Sequence, residues 1–196
     1  ADVGLAFDGD GDRLIAVDES GSEVTGDHLI ALTARDMKER GILKEDMVVV
    51  TPMSNLGMRL ALRELGIRCE DAPVGDRNVL ESMKRHGAVL GGEQSGHIIF
   101  LDRHTTGDGI VSALELMAVM RRSGRRLSEL AEIFRPAPQR LVNVAVTSRP
   151  PLEELRPLQE AIRAAEERLG DRGRVLVRYS GTQLLCRVMV EGADAE

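Results

Sequence analysis

Between Asp27 and Met120 the chain repeatedly alternates short apolar runs with longer segments of helical spacing, and this alternation constrains the fold more than any other feature. Residues 47–51 are apolar and β-branched, the composition of a strand buried on both faces. Residues 68–72 read as a second strand, and 88–90 and 97–101 as two more around a glycine-rich turn. The intervening segments carry helix signals. Asp27 is placed to cap a helix that ends before Gly41, and Ser54 to cap one bearing Leu56, Leu60 and Leu65 and stopped by Gly66. Asp76 is placed to cap a helix with Val79, Leu80 and Met83 that ends at Gly87. Asp108 is placed to cap one with Ile110, Leu114 and Met117 on a single face. The pattern predicts an α/β domain: a mixed, largely parallel sheet with helices on both faces.

The flanks read differently. Residues 3–7 and 14–17 form two strands around an Asp/Gly turn, and residues 19–22 form a second turn. Composition changes at Arg135-Pro136-Ala137-Pro138, and Pro150-Pro151 follows. Beyond this point lies a strand at 141–146, then a helix with Leu155, Leu158, Ile162, Ala165 and Leu169 in one stripe, in which Pro157 either belongs near the first turn or marks a kink. Strands at 174–177 and 185–190 close the chain. This predicts a small α+β domain with an antiparallel sheet, of about 55 residues, a size that is marginal alone.

Composition narrows the function. A formal charge of −6 gives no electrostatic drive toward nucleic acid. Aromatic residues are 2% of the chain and tryptophan is absent, which leaves stacking platforms for bases or sugar rings nearly unavailable. No apolar stretch approaches the roughly 20 residues that span a membrane. The arginines at 121, 122, 125 and 126 read as a solvated helix end and turn. Cys69 and Cys186 form no metal pattern or disulfide framework and read as buried, reduced thiols of a cytoplasmic protein. The chain opens on Ala1, which suggests a piece of something longer.

Three motifs carry chemistry. In Asp8-Gly9-Asp10-Gly11-Asp12-Arg13, carboxylates on alternate residues converge if the backbone turns sharply, and the glycines permit that turn. Oxygen-only ligands suit Mg²⁺, Ca²⁺ or Mn²⁺. An EF-hand loop would need glycine where Arg13 stands and helices where strands are predicted, so it is excluded. Arg13 makes sense beside the carboxylates if a phosphate is held there too. The second motif, Gly91-Gly92-Glu93-Gln94-Ser95-Gly96-His97, offers a carboxylate, a hydroxyl and an imidazole in one tight loop, suited either to gripping sugar hydroxyls or to forming a plain polar hairpin. The third, Arg178-Tyr179-Ser180-Gly181-Thr182-Gln183, has the parts of a phosphate cradle, with Arg187 as a second charge, although taken alone a plain β-turn is the favoured reading. In Val74-Gly75-Asp76-Arg77, Asp76 reads as a helix cap and Arg77 stays open.

The order of these motifs, with Thr105-Thr106-Gly107-Asp108-Gly109 between the second and third, resembles the α-D-phosphohexomutases over essentially the whole chain. Gln94 points to the branch acting on glucosamine phosphates. The resemblance implies an isomerase that interconverts glucosamine 6-phosphate and glucosamine 1-phosphate through a phosphoserine and a bisphosphorylated sugar. The rivals are a glucose or mannose phosphate mutase of the same superfamily and a non-catalytic phosphosugar-binding module. It implies that residues 1–24 end a second domain, 25–136 form a third, and 137–196 form a C-terminally truncated fourth, with a hinge at Pro136 to Pro138. It matches Asp8, Asp10 and Asp12 to Mg²⁺ ligands, Glu93 and Ser95 to sugar contacts, and Arg178, Ser180, Gly181 and Thr182 to phosphate contacts, with Arg13 and His97 in supporting catalytic roles. No serine here has the family's Ser-His-Asn-Pro-like context: Ser54 is followed by Asn55 and Leu56. The nucleophile is therefore expected in a preceding part of the protein, so this chain alone is expected to be inactive. Tyr179, Gln183 and Leu184 depart from the family's usual phosphate loop. Expected partners are the phosphosugar, the missing first and second domains, and a second copy as a candidate homodimer partner.

Overall fold

The computed structural model describes residues 1–181 and 183–192. The chain divides into two units, Ala1–Arg135 and Pro136–Glu196.

The first unit opens with an antiparallel meander of β1 (Val3–Phe7), β2 (Leu14–Asp18) and β3 (Glu23–Val24). β1 pairs with β2 from Val3 opposite Asp18 to Phe7 opposite Leu14, so the Asp/Gly run is the connection between two paired strands. Then follow α1 (Gly26–Glu39), β4 (Met47–Val50), α2 (Leu56–Glu64), β5 (Arg68–Asp71), α3 (Asp76–His86), β6 (Leu90–Gly92), β7 (Ile98–Phe100), α4 (Gly109–Ser123) and α5 (Leu127–Ala131). The sheet order is β5-β4-β6-β7, with β4 parallel to both neighbours and β7 antiparallel to β6. This is the mixed, largely parallel sheet expected from the alternation.

β4 shows why helices cover both faces. All four of its residues are buried, and successive side chains point to opposite sides. Val48 and Val50 join a core with Leu29 and Leu32 of α1 and Met58 and Leu62 of α2, which also takes in Leu14 and Ala16 of β2. Met47 and Val49 join a second core with Val79 and Met83 of α3. Burying each such side chain contributes about 1.5–3 kcal/mol.

Several local expectations are corrected. Thr25, not Asp27, is the residue before α1, and Asp27 Oδ2 instead accepts from the Asn55 amide at 2.7 Å. Asn55, not Ser54, caps α2 by accepting from the Gly57 amide at 2.8 Å. Asp76 makes no cap hydrogen bond; Gly75 occupies the N-cap position of α3. β6 starts at Leu90 rather than 88 and runs through Gly92. Asp108 does cap α4, accepting from the Ile110 and Val111 amides. The face of α4 is reversed, however: Ile110, Leu114 and Met117 are exposed, while Ala113, Leu116 and Val119 are buried. A periodic stripe fixes the spacing of an apolar face but not which neighbour covers it. Nor is the arginine cluster wholly solvated. Arg122 donates to both oxygens of Asp36 at 2.8 and 2.7 Å, tying α4 to α1. Burial works against the Asp36 charge, but the bonds from Arg122 and Arg40 outweigh it and hold this carboxyl below its ordinary range.

The second unit contains β8 (Gln139–Ala145), α6 (Arg156–Leu169), β9 (Gly173–Tyr179) and β10 (Leu185–Gly192). The antiparallel sheet has the order β8-β10-β9. Pro157 sits in the first turn of α6. The core is thin: Met189 is buried, but α6 buries none of its residues and Leu141, Val142 and Val144 of β8 are about half exposed. The Glu191 carboxylate is fully buried and accepts from Gln139 and Arg174. Both cysteines are free and half-buried, less enclosed than expected, and burial pushes the Cys69 thiol up to about 11. Among the described residues no helix is long and apolar enough to cross a membrane.

Leu116→Ala should therefore cost about 2–5 kcal/mol in urea unfolding, while Leu114→Ala on the exposed face should change stability by no more than about 0.5 kcal/mol. Equal losses would show the assignment of the α4 faces to be wrong. A pH effect follows from His28, which is buried and stacked on Phe134 with ring centroids 4.2 Å apart. Burial lowers its pKa in the fold. Below about pH 6.5 the unfolded chain takes up a proton that the folded chain resists, so this contribution is full at higher pH and declines as pH falls. Urea unfolding at pH 7.5 and 5.5 should show a stability loss that is smaller in His28→Gln; the Asp36 contribution fades only at lower pH.

Candidate functional site

The first motif is the tight connection between β1 and β2. The Gly11 amide donates to the Asp8 carbonyl at 3.2 Å, with Gly11 at φ +75°, a left-handed conformation that glycine adopts without steric cost. This turn brings the carboxylates of Asp8, Asp10 and Asp12 together, with one oxygen of each within 4.8 Å of the others. Arg13 lies across them: its amide donates to Asp8 Oδ1 at 3.2 Å, and its Nε is 3.6 Å from Asp8 Oδ2 and 3.8 Å from Asp12 Oδ1. Its side chain is still about half exposed, at 47%.

The electrostatics of the loop are unfavourable without a cation. Desolvation, then repulsion from Asp10 and Asp8, raises the Asp12 carboxyl above its ordinary value. Desolvation also acts to raise Asp8, but the hydrogen bond from the Arg13 amide and those shared with Asp12 and Asp10 outweigh it and lower its pKa. Asp12 Oδ1 is buried with no hydrogen-bond partner. An oxygen-only donor set that repels itself and leaves a buried lone pair unmet fits a hard divalent cation.

The second motif closes against the first. Glu93 to His97 form the turn of the β6–β7 hairpin, with the Glu93 amide donating to the His97 carbonyl at 2.9 Å. Arg13 and His97 pair as an antiparallel bridge, and the Leu14 amide donates to the Gly96 carbonyl at 3.1 Å. Gly96 has φ +92°, and a Cβ there would lie 2.1 Å from the Leu14 carbonyl oxygen, so only glycine permits this approach. Glu93 Oε1 accepts from the Gly75 amide at 3.2 Å, which ties the loop to the start of α3. Ser95 Oγ is buried with no hydrogen-bond partner. His97 is 1% exposed, with Nε2 3.6 Å from Asp12 Oδ2 and Nδ1 3.4 Å from Asp76 Oδ1. A cavity of about 230 Å³ lies beside it, lined by Asp76, Arg77, Leu80, His97, Ile99, Thr105 and Thr106. Arg77 is largely exposed and pairs with Glu81 at 2.8 Å. A larger cleft of about 490 Å³, lined by Arg59, Arg63 and Arg68, contains none of the motif residues.

The structure thus brings Asp8, Asp10, Asp12, Arg13, Glu93, Ser95 and His97 into one region of the first unit. Asp76 belongs to the same group, and sequence reasoning missed it by assigning it a cap. The glycine before it was the available signal, because Gly75 itself occupies the N-cap position, at φ +123°.

The third motif lies in the second unit, at the turn from β9 to β10. Arg178 stands directly opposite Arg187 across the two strands. Two guanidinium groups in such register repel one another, and Arg187 Nε is buried with no hydrogen-bond partner. Ser180 is buried; its amide donates to the Leu185 carbonyl at 2.9 Å and its hydroxyl accepts from the Gln183 amide at 3.3 Å. Gly181 follows it, while Thr182 lies outside the described residues. Tyr179 donates from its hydroxyl to the Pro150 carbonyl at 2.8 Å, and Arg149 donates to the Gln183 carbonyl at 2.6 Å. These two bonds brace the segment that departs from the usual family loop.

Residues 25–137 match the family described as phosphoglucomutase/phosphomannomutase, alpha/beta/alpha domain III. The chain belongs to the phosphoglucomutase/phosphomannomutase family. Residues 141–196 match the C-terminal domain of the same family. The chain is 56% identical to a phosphoglucosamine mutase of Syntrophobacter fumaroxidans over 100% of its length, and 55% identical to that of Syntrophus aciditrophicus. It spans only 44% of each of those two relatives. Among solved structures it resembles Aspergillus fumigatus N-acetylphosphoglucosamine mutase in complex with GlcNAc-6P and magnesium, with a TM-score of 0.81 and 23% identity, covering 97% of this chain and 48% of that one. It also resembles a phosphoglucomutase/phosphomannomutase family protein from Burkholderia thailandensis, with a TM-score of 0.78 and 23% identity, covering 100% of this chain and 43% of that one. At such identities these two structures speak for the fold alone.

If the carboxylate cluster is under the repulsion described, removing one charge should relieve it. Asp10→Asn should raise the melting temperature of the cation-free protein and shrink the rise produced by millimolar Mg²⁺. Differential scanning fluorimetry with and without EDTA reads both effects, and an unchanged Mg²⁺ response in the variant would remove Asp10 from the ligand set.

Proposed function

We propose that this chain is the C-terminal portion of a cytoplasmic phosphoglucosamine mutase. Its reaction interconverts glucosamine 6-phosphate and glucosamine 1-phosphate through a phosphoserine and a bisphosphorylated sugar. The observation that carries the reading is the convergence of Asp8, Asp10 and Asp12 within 4.8 Å, closed over by the Glu93–His97 turn. Identity of about 55% to two phosphoglucosamine mutases over the whole chain supports the glucosamine branch, to which Gln94 also points. In this reading residues 1–24 end domain 2, 25–136 are domain 3, 137–196 belong to domain 4, and Pro136 to Pro138 serve as the hinge.

Asp8, Asp10 and Asp12 would hold Mg²⁺ as oxygen ligands. When bound, Mg²⁺ supplies charge compensation and Lewis acidity toward phosphoryl oxygens. Arg13 sits at the rim of this cluster with an exposed guanidinium, suited to an incoming phosphate oxygen. Ser95 presents a buried hydroxyl with no hydrogen-bond partner and Glu93 a carboxylate held by Gly75, and both suit sugar hydroxyls. His97, beside Asp12, is the candidate for moving a proton at the sugar oxygen. Arg178, Arg187, Ser180, Gly181 and Thr182 would grip the phosphate that is not reacting, and holding one end of the substrate positions the other. The phosphoserine and the remaining Mg²⁺ ligand would come from the domains outside this chain.

Two assays test this. The 196-residue chain should give no turnover of glucosamine 6-phosphate above background, because it holds no serine in the nucleophile's context. The full-length parent should favour glucosamine phosphate over glucose and mannose phosphates by at least about tenfold in kcat/KM, roughly 1.4 kcal/mol of transition-state binding. Equal use of the three sugars would reassign the branch, and turnover by the chain alone would refute the need for a separate serine domain.

A further inference from the structure

Asp76 is a carboxylate placed where the site already has an excess of negative charge. It opens α3, yet it makes no cap hydrogen bond, and its neighbour Arg77 turns away to pair with Glu81. Its one ion-pair contact among the described residues is with His97, Oδ1 to Nδ1 at 3.4 Å. The His97 ring is enclosed at 1% exposure, and its buried Nδ1 makes no hydrogen bond, with Asp76 Oδ1 facing it at 3.4 Å. The other ring nitrogen lies 3.6 Å from Asp12 Oδ2. The ring cannot move far. Its backbone is bridged to Arg13, and Gly107 is pressed against its edge, where a Cβ would come within 2.4 Å of Cδ2 and Nε2. Asp12, His97 and Asp76 therefore form one cluster, with one oxygen or nitrogen of each within 4.8 Å of the others, and it joins the Asp/Gly loop to the first turn of α3.

We propose that Asp76 is a positioning residue for the metal loop: its carboxylate holds the His97 ring, and the ring holds Asp12 in the posture where the three carboxylates converge. Outer partners that orient a ligating group commonly change metal affinity 10- to 100-fold when removed; His97 is that partner for Asp12, and Asp76 acts through the His97 ring. The arrangement brings α3 to the site through its first residue. It also explains why an acidic residue sits at this helix start without capping it. The proposal rests on the reading of Asp8, Asp10 and Asp12 as a cation site, but not on mutase activity.

The test uses Mn²⁺ as the probe and two readouts. Mn²⁺ binding to the 196-residue chain is titrated by EPR into the millimolar range, and the His97 ring nitrogens are observed in ¹⁵N-histidine-labelled protein. Asp76→Ala should weaken Mn²⁺ binding by up to about tenfold, the lower end of what a direct partner of a ligand supplies, and shift the His97 ring resonances, with circular dichroism unchanged. Asp76→Asn keeps an acceptor oxygen facing the ring and should recover part of both effects, which a general loosening of α3 would not show. Shifted His97 resonances with wild-type Mn²⁺ affinity would overturn the proposal, as would unmoved resonances or equal losses in the two variants. If the unmutated chain binds no Mn²⁺, the cation site itself falls and takes the proposal with it. If that chain binds and Asp76→Ala binds equally, only the role of Asp76 falls.

Discussion

The backbone contact between Arg13 and His97 is the interaction on which the rest of the site depends. The Asp/Gly loop and the hairpin turn are separated by about eighty residues of chain, yet they meet through a bridge and a 3.1 Å bond from the Leu14 amide to the Gly96 carbonyl. Gly96 makes this possible because a side chain there would overlap the Leu14 carbonyl. The contact decides what Asp12 faces. Without it, Asp8 to Asp12 would form an exposed acidic turn, and such turns are common where no ion binds. With it, Asp12 is drawn against a buried imidazole and loses solvent from one oxygen.

Electrostatics then set the character of the site. Asp8, Asp10, Asp12 and Asp76 crowd into one region, while Arg13 is the positive group lying directly across the loop. The opposite imbalance occurs in the second unit, where Arg178 and Arg187 stand in cross-strand register and a buried Nε lacks a hydrogen-bond partner. Each imbalance costs stability, and a ligand of opposite charge would relieve it.

The two units differ in how they are held together. The first has two cores, one on each face of a sheet whose central strand β4 is wholly buried. The second has one sheet, a helix without buried residues, and a buried Glu191 held by Gln139 and Arg174. A carboxylate buried with polar partners is a weaker source of stability than apolar packing, because desolvation offsets much of the attraction. The second unit therefore draws little on a hydrophobic core, as its length of about 55 residues implied.

The sequence by itself determined the class of the fold and the chemistry of its motifs. The buried strand β4, the stop signals at Gly66 and Gly87, the cap at Asp108 and the Asp/Gly turn are local features, set by burial pattern, backbone sterics and hydrogen bonding within a few residues. The tertiary structure decided what depended on distant neighbours. Asp27 serves Asn55 rather than its own helix, Leu116 rather than Leu114 faces the core, and Arg122 reaches Asp36. Asp76 is the clearest case. A helix-start aspartate looks the same in sequence whether it caps its helix or faces a histidine twenty-one residues on, because the difference lies in what folds against it.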